Sequence, residues 1–480
     1  MTHTLRNVLL ASTALGFLVV APSAHAADST AEAIKALQAQ VDALQKQLVE
    51  IQAKAQQTAP VSAEPAKVEK ASSETGKKEI LPGVSVKFGG YIAAEGVYRD
   101  RSQNGDMSTS YSGVTLGHTA DSSHGEFRAS ARTTRLSALF GAKIDKDTDL
   151  GGYIEGDFLG ASGSYAKTNN FSPRLRQGFI SYDRNDWGFH AYAGQAYSLT
   201  TSSKSGMSPR TEDLPMVVDA ALVPGVVYTR NAQFRVVKDF ADNTFHAGLS
   251  FESPEVSVPS TLPTNTSSSH GDVPDVIAKV AYDNSFGHVE LFGLTRFFTA
   301  TYKGATYEND RDVAFSGGVS TFMHVLPKKL DFHANFAAGK GLGRYTIVGM
   351  PGYTITADGK VKSVTAMAAM VGLIGHLTPS LDAYLYAGAE KAIRQSHADG
   401  YGVGVDNSGC YTPTGSCAGV TESVWTLAPG VWDTVYKGDY GSLKVGAQYS
   451  LTRRDGFSDS NGQPHAYENV GLISFRYSPF

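Results

Sequence analysis

The sequence predicts an all-β fold: a transmembrane antiparallel β-barrel of about 16 strands, preceded by a short N-terminal α-helical coiled coil. Three observations predict it. After residue 83 the side chains alternate between apolar and polar, the period of a strand whose two faces meet different surroundings. The connections alternate between short polar turns and long loops, as they do in a barrel with two unlike rims. The composition is rich in glycine (50) and in tyrosine and phenylalanine (23 each), yet the mean hydropathy is only −0.19. No run beyond the N-terminus approaches 18 consecutive apolar residues, so no transmembrane helix is predicted.

Residues 1–26 read as a signal peptide. Arg6 is the positive flank, VLLASTALGFLVVA the apolar core, and Ala24-His25-Ala26 the small-x-small cleavage site ending at Ala26. A retained membrane anchor is disfavoured because charged helix follows at once. Residues 27–56 form the coiled-coil segment. Ile34, Leu37, Val41, Leu44, Leu48 and Ile51 fall at spacings of 3, 4, 3, 4 and 3, an a/d seam that needs partner helices. The flanking positions are mostly Gln (Gln38, Gln40, Gln45, Gln47 and Gln52, with Lys54), which suits self-association over a charged foreign partner. The seam leaves dimer and trimer both open, and an amphipathic helix on the membrane surface is its alternative. Residues 57–82 are a flexible linker rich in Ala, Pro, Ser, Lys and Glu. Residues 83–480 are the barrel domain.

Within that domain the strand phase can be read directly. In SLKVGAQYSLTRR, Leu443, Val445, Ala447, Tyr449 and Leu451 share one face, and Lys444, Gln448 and Arg454 share the other. LGGYIEGDFLG sets Leu150, Ile154 and Phe158 against Tyr153, Glu155 and Asp157, and NAQFRVV sets Phe234 and Val236 against Gln233 and Arg235. Short turns are expected at 145–149, 183–186, 239–243, 283–286, 327–329, 378–380 and 437–440. Long loops are expected at 100–124, 162–172, 199–223, 253–271, 302–310, 346–360, 392–426 and 455–465. Seven turns and eight loops connect sixteen strands, within a range of 14–18 that uncertain boundaries allow. Open sheet edges are intolerable in hydrocarbon, so the strands must close on themselves.

Other classes fare poorly. The formal net charge is −4, or −5 once residues 1–26 are removed, and no basic cluster suggests nucleic acid. Cys410 and Cys417 are expected to form a local disulfide after export; a metal site would need further ligands nearby. The 13 histidines are scattered, without HExxH or a cysteine–histidine cluster. Neither a G-x-S-x-G elbow nor a phosphate-cradling glycine loop is present. No catalytic, cofactor-binding or metal-binding residue is assigned, and the chain is not expected to be an enzyme.

The arrangement of signal, heptads, linker and sixteen-strand barrel resembles the DcaP-like family of trimeric outer-membrane porins of Gram-negative bacteria. The segments RTTRLSALFGAKI, RLRQGFISYD, TRNAQFRV and GKGLGRY look like strands of that family, and the terminal GLISFRYSPF resembles a barrel-insertion signal. The resemblance implies a homotrimer in outer-membrane lipid, a periplasmic N-terminal segment, and passive uptake of small hydrophilic solutes, notably anions such as dicarboxylates. A general, weakly selective diffusion porin is the first alternative. A structural anchor joined to the cell wall, with peptidoglycan held through the coiled-coil stalk, is the second.

A charge facing lipid at mid-membrane costs roughly 2–4 kcal/mol, so mid-strand charges should face the lumen. Arg135 and Lys143 on the second strand, Glu155 and Asp157 on the third, Arg235 on the sixth and Arg296 on the ninth are the expected lining. Acidic and basic walls would then face each other across a transverse field. Arg132 has the opposite parity to Arg135, which calls for a bulge. Arg176 is counted with the expected lining, although it shares the phase of the apolar Ile180, which leaves its direction open. The resemblance implies that the loop after the fifth strand folds inward. Lys204, Arg210, Glu212 and Asp213 are then its expected constriction residues, and Leu214, Met216, Val217 and Val218 its wall anchors. An external flap is the alternative.

Overall fold

The computed structural model describes residues 78–480, apart from 104, 118–119, 161–170, 255–265, 269–270, 304–306, 398–399, 413–414, 416 and 418. The signal peptide with Ala26, the seam residues Ile34, Leu37, Val41, Leu44, Leu48 and Ile51, and most of the linker lie outside the described residues.

Sixteen antiparallel strands close into one barrel. They are β1 (Val84–Arg99), β2 (in two pieces, Glu126–Ser130 and Arg135–Lys143), β3 (Thr148–Asp157), β4 (Arg174–Arg184) and β5 (Phe189–Tyr197). There follow β6 (Arg230–Phe240), β7 (Phe245–Glu252), β8 (Asp275–Asn284), β9 (Gly287–Lys303), β10 (Tyr307–Leu326) and β11 (Leu330–Lys340). The last are β12 (Thr365–His376), β13 (Leu381–Ala392), β14 (Thr421–Gly438), β15 (Gly441–Gly456) and β16 (His465–Ser478). Two short pieces, Lys78–Leu81 and Thr266–Ser268, add to the edges of β1 and β9. Closure comes from β1, which pairs with β16 on one side (Ile92 opposite Tyr477) and with both pieces of β2 on the other.

The barrel is inverted relative to a water-soluble one. Large apolar side chains stand outside, with Ile180 66% and Phe315 65% exposed, alongside Phe88, Ile92, Leu136, Phe140, Ile154 and Phe234. A band of that extent is untenable in water and defines a lipid-facing surface. Trp187, Phe286 and Tyr440 project from short turns, where aromatic rings mark a membrane interface. Inside, Glu155, Asp157, Arg235, Lys279, Glu290 and Arg296 are buried.

All seven short turns lie at one rim, between the strand ends expected from the sequence. One expected long loop is not there: β9 and β10 run on to Lys303 and Tyr307, so 302–310 is mostly paired strand. Its Thr, Asn and Asp residues read as loop, but a strand that projects beyond the bilayer tolerates polar side chains on both faces. Both parity puzzles are resolved by local irregularities. Arg132 lies in the four-residue break between the two pieces of β2. Arg176 is the extra residue of a bulge, since Glu155 pairs with Gln177 and Gly156 with Leu175. The bulge resets the phase, so Arg176 points inward while Ile180 points to lipid.

Candidate functional site: a lined passage through the barrel

The connection between β5 and β6 folds into the lumen. Its first part is a hairpin: Ser203 pairs with Glu212, and Asp213 N–H donates to the Ser202 carbonyl at 2.7 Å. The wall holds this part by its backbone. Lys279 Nζ donates to the Thr201 carbonyl at 2.8 Å and Arg235 Nη1 to the Met207 carbonyl at 3.1 Å. Beyond Asp213 the chain crosses to the far wall. Met216 N–H donates to the Tyr386 hydroxyl (3.3 Å), Val218 N–H to Gln448 Oε1 (2.6 Å), and Trp432 Nε1–H to the Met216 carbonyl (2.8 Å). Val217 and Val218 bury themselves with Tyr384, Tyr386, Met370 and Trp432. Gly225 N–H donates to Glu390 Oε1 at 2.9 Å. Gly388 has to be glycine here, because a Cβ on it would overlap the Pro224 carbonyl.

Between this loop and the wall β15–β16–β1–β2–β3–β4 lies an open cavity of about 310 Å³, here termed the passage. Its loop side is largely apolar, built from Leu214, Pro215 and Met216, while Arg135, Lys444 and Arg476 line the wall side. Arg476 is wedged between the Tyr91 and Trp432 rings (4.9 and 4.6 Å) and bonds Glu95. Lys444 is exposed. Arg135, with a side chain 29% exposed, has only a long 3.9 Å ion pair to Glu155, and its Nε donates to nothing. The wall carboxylates are already paired: Glu155 with Arg176 (2.6 Å), and Asp157 with Arg174 (2.7 Å) and Arg176 (2.8 Å). Arg176 Nη2 also donates to the Tyr197 hydroxyl at 3.0 Å. Three cationic side chains therefore face the passage with hydrogen-bonding capacity unspent.

This corrects several expectations. Glu155 and Asp157 are neutralised on their own wall, by Arg174 and Arg176 of the neighbouring strand. Arg235 is 3% exposed and holds the inserted loop from behind. Arg296 is 2% exposed under another loop, bonded to Asp275 (3.0 Å) and to the Gly341 carbonyl (2.8 Å). Neither lines the passage, because strand phase says which side chains point inward but not what covers them. Lys143 points inward but sits at the short-turn rim, its side chain 77% exposed beside Asp149. Arg132 is turned to the Phe158 and Gly160 carbonyls and to Asp106.

The loop is inserted, but the part of it that lines the opening is 214–220 with Leu222, whereas the expected constriction residues lie in the hairpin before it. Lys204 pairs with Asp213 at 3.4 Å, Arg210 lies over the Tyr153 ring, and Glu212 joins the hairpin bridge. Burial raises the Asp213 carboxyl to about 7 despite Lys204, and raises those of Glu212 and Asp219 as well. Of the expected anchors, Val217 and Val218 are in the wall cluster, while Leu214 lines the opening. Lys444 and Arg476 line the opening without having been singled out by the strand phase of mid-strand charges. Both sit on polar faces of clearly alternating strands, Arg476 between Phe475 and Tyr477. In the last long connection but one, Cys410 and Cys417 form a disulfide.

No family model matches this chain, and no curated protein matches it. Solved structures do. The outer membrane channel DcaP of Acinetobacter baumannii superposes with a TM-score of 0.63 at 20% identity, over 84% of this chain and 99% of that one. An anion-selective porin from Comamonas acidovorans (TM-score 0.47, 11% identity, 82% and 99% covered) also matches. So does Salmonella typhi OmpF in complex with daunomycin (TM-score 0.48, 11% identity, 84% and 100% covered). The fold is that of an outer-membrane porin. Among the solved structures named here, it is DcaP-like in particular, in keeping with the resemblance read from the strand segments.

Proposed function

We propose that this chain is an outer-membrane porin of a Gram-negative bacterium. It would form a water-filled channel for passive uptake of small hydrophilic solutes and favour small anions such as dicarboxylates. The lining of the passage carries the reading: Arg135, Lys444 and Arg476 offer unspent donors opposite the apolar Leu214–Pro215–Met216 edge. A carboxylate finds charge-assisted hydrogen bonds on one side, and a short carbon chain finds apolar contact on the other. Cations meet wall carboxylates, Glu155 and Asp157, that are already paired. The chain acts as a homotrimer, with the short turns and the N-terminal coiled coil in the periplasm, where three tethered helices meet at high effective concentration.

The test is single-channel current through the purified protein in a planar bilayer, with a reversal potential under a salt gradient and dicarboxylate titrated in. Stepwise closure in threes, anion selectivity and block by dicarboxylate are expected. Large, unselective steps without block would leave a general diffusion porin. Absence of any conductance would discard the channel and favour the structural anchor.

A further inference from the structure

Five histidines that look scattered along the chain are gathered at the short-turn rim. In five of the seven short hairpins an Asp and a His are direct cross-strand partners: Asp183–His190, Asp239–His246, Asp283–His288, His324–Asp331 and His376–Asp382. The pairs then join across neighbouring hairpins. His190 Nδ1 meets Asp183 (2.7 Å) and its Nε2 meets Asp239 (3.0 Å). His246 Nδ1 meets the other oxygen of Asp239 (2.6 Å), and its Nε2 meets Asp283 (2.9 Å). His288 continues from Asp283 (2.5 Å) to Glu290 (2.9 Å), where Lys279 ends the run at 2.7 Å. A second, shorter arc runs His324–Asp331–His376–Asp382.

The chemistry of such a run is set by proton count. A carboxylate only accepts, and a neutral imidazole has one N–H and one lone pair. His190, His246 and His288 each place both ring nitrogens against carboxylates, so every link is a hydrogen bond only while each imidazole carries two protons. Loss of one proton turns one contact per ring into lone pair against lone pair. The inserted loop is fastened to this same run. Gly206 N–H donates to Asp283 Oδ2 at 2.8 Å, the oxygen that His246 Nε2 also meets, and Tyr192 links Ser208 to Asp183. The other charged groups facing the run are Lys143 and Asp149 from β2 and β3, Lys279 and Arg235 from the wall, and Glu212 and Asp213 from the loop.

We propose that the His190–His246–His288 carboxylate run is a proton-dependent clasp that positions the tip of the inserted loop: doubly protonated imidazoles hold the tip to the wall, and alkaline pH releases it. The inference rests on the porin reading only for its effect on current.

The clasp is tested on the full-length protein carrying a spin label at the exposed position of Ser205→Cys. The label is expected to be immobile in mildly acid and neutral solution and to gain mobility about twofold or more as the imidazoles lose their second proton at alkaline pH. His246→Asn should be mobile throughout. The alkaline change should persist in Asp213→Asn, which removes a loop carboxyl that burial raises to about 7. A label insensitive both to pH and to His246→Asn would overturn the clasp. Should that variant fail to fold, nitrogen NMR of wild-type imidazoles decides: singly protonated rings at neutral pH overturn it. In single-channel records, closures and open-state noise should rise with label mobility; mobility without any change in current would overturn the link to conduction. A protein silent at every pH would remove the porin reading, while label and NMR still judge the clasp.

Discussion

Arg135 and Arg176 stand two strands apart in the same wall but differ in what they have left to offer. Arg176 has its donors committed to Glu155, Asp157 and Tyr197. Replacing it by Leu leaves two carboxylates short of a partner, and we expect a loss of about 3–5 kcal/mol, read as a lower heat-modification temperature of the folded barrel. Arg135→Ala should leave that temperature unchanged but weaken dicarboxylate block about tenfold, the scale of one charge-assisted hydrogen bond. Asp213 titrates in a range that allows a test by pH. Its folded value of about 7 lies above the unfolded carboxyl near 3.9, so its contribution favours the fold in acid and is lost as pH rises through that window. Asp213→Asn should therefore equal wild type near pH 4 and exceed it in stability above about pH 7.

At the scale of elements, the inserted loop is held by backbone hydrogen bonds to side chains of β6, β8, β13, β14 and β15, which makes its path depend on close approach. Gly388→Ala puts a methyl group where the Pro224 carbonyl passes. We expect the loop to be displaced, with a larger unitary conductance and weaker anion preference in the same bilayer assay. The short turns were legible because Asp, Asn, Pro and Lys cluster where the backbone must reverse between two alternating runs. The 302–310 segment misleads for the opposite reason: its polar residues lie on strands that project past the membrane. The Arg176 bulge left a sign, a charge in apolar phase, but parity alone cannot tell a bulge from an outward charge.

For the whole molecule, period 2 and the alternation of turn lengths predict the sixteen strands, and the lipid-facing residues follow from phase. Which inward charges face the passage does not follow, because the loop covers part of the inner wall; Arg235 is hidden and Arg476 is left open. The circumferential His–Asp run escapes for a related reason. Each partner lies across a turn from the next, so along the chain the histidines appear unrelated. The charge excess at the passage also has a global consequence. Selectivity that arises from exposed cations should fall with ionic strength, because the screening length shrinks from about 10 Å at 0.1 M to about 3 Å at 1 M. Reversal potentials at fixed salt ratio should approach zero as both concentrations rise.

The loop between β5 and β6 serves as a sleeve inside a casing. The casing needs only alternation, closure and an apolar exterior, demands that very different sequences can meet. The sleeve narrows the bore and supplies the apolar edge that faces Arg135, Lys444 and Arg476 of the wall, and it occupies one continuous stretch of chain. Shortening its hairpin, or exchanging residues 214–222, would therefore remake the passage while leaving the assembly of the casing untouched. Drift on the outer face of the wall and changes of bore can thus proceed on separate clocks.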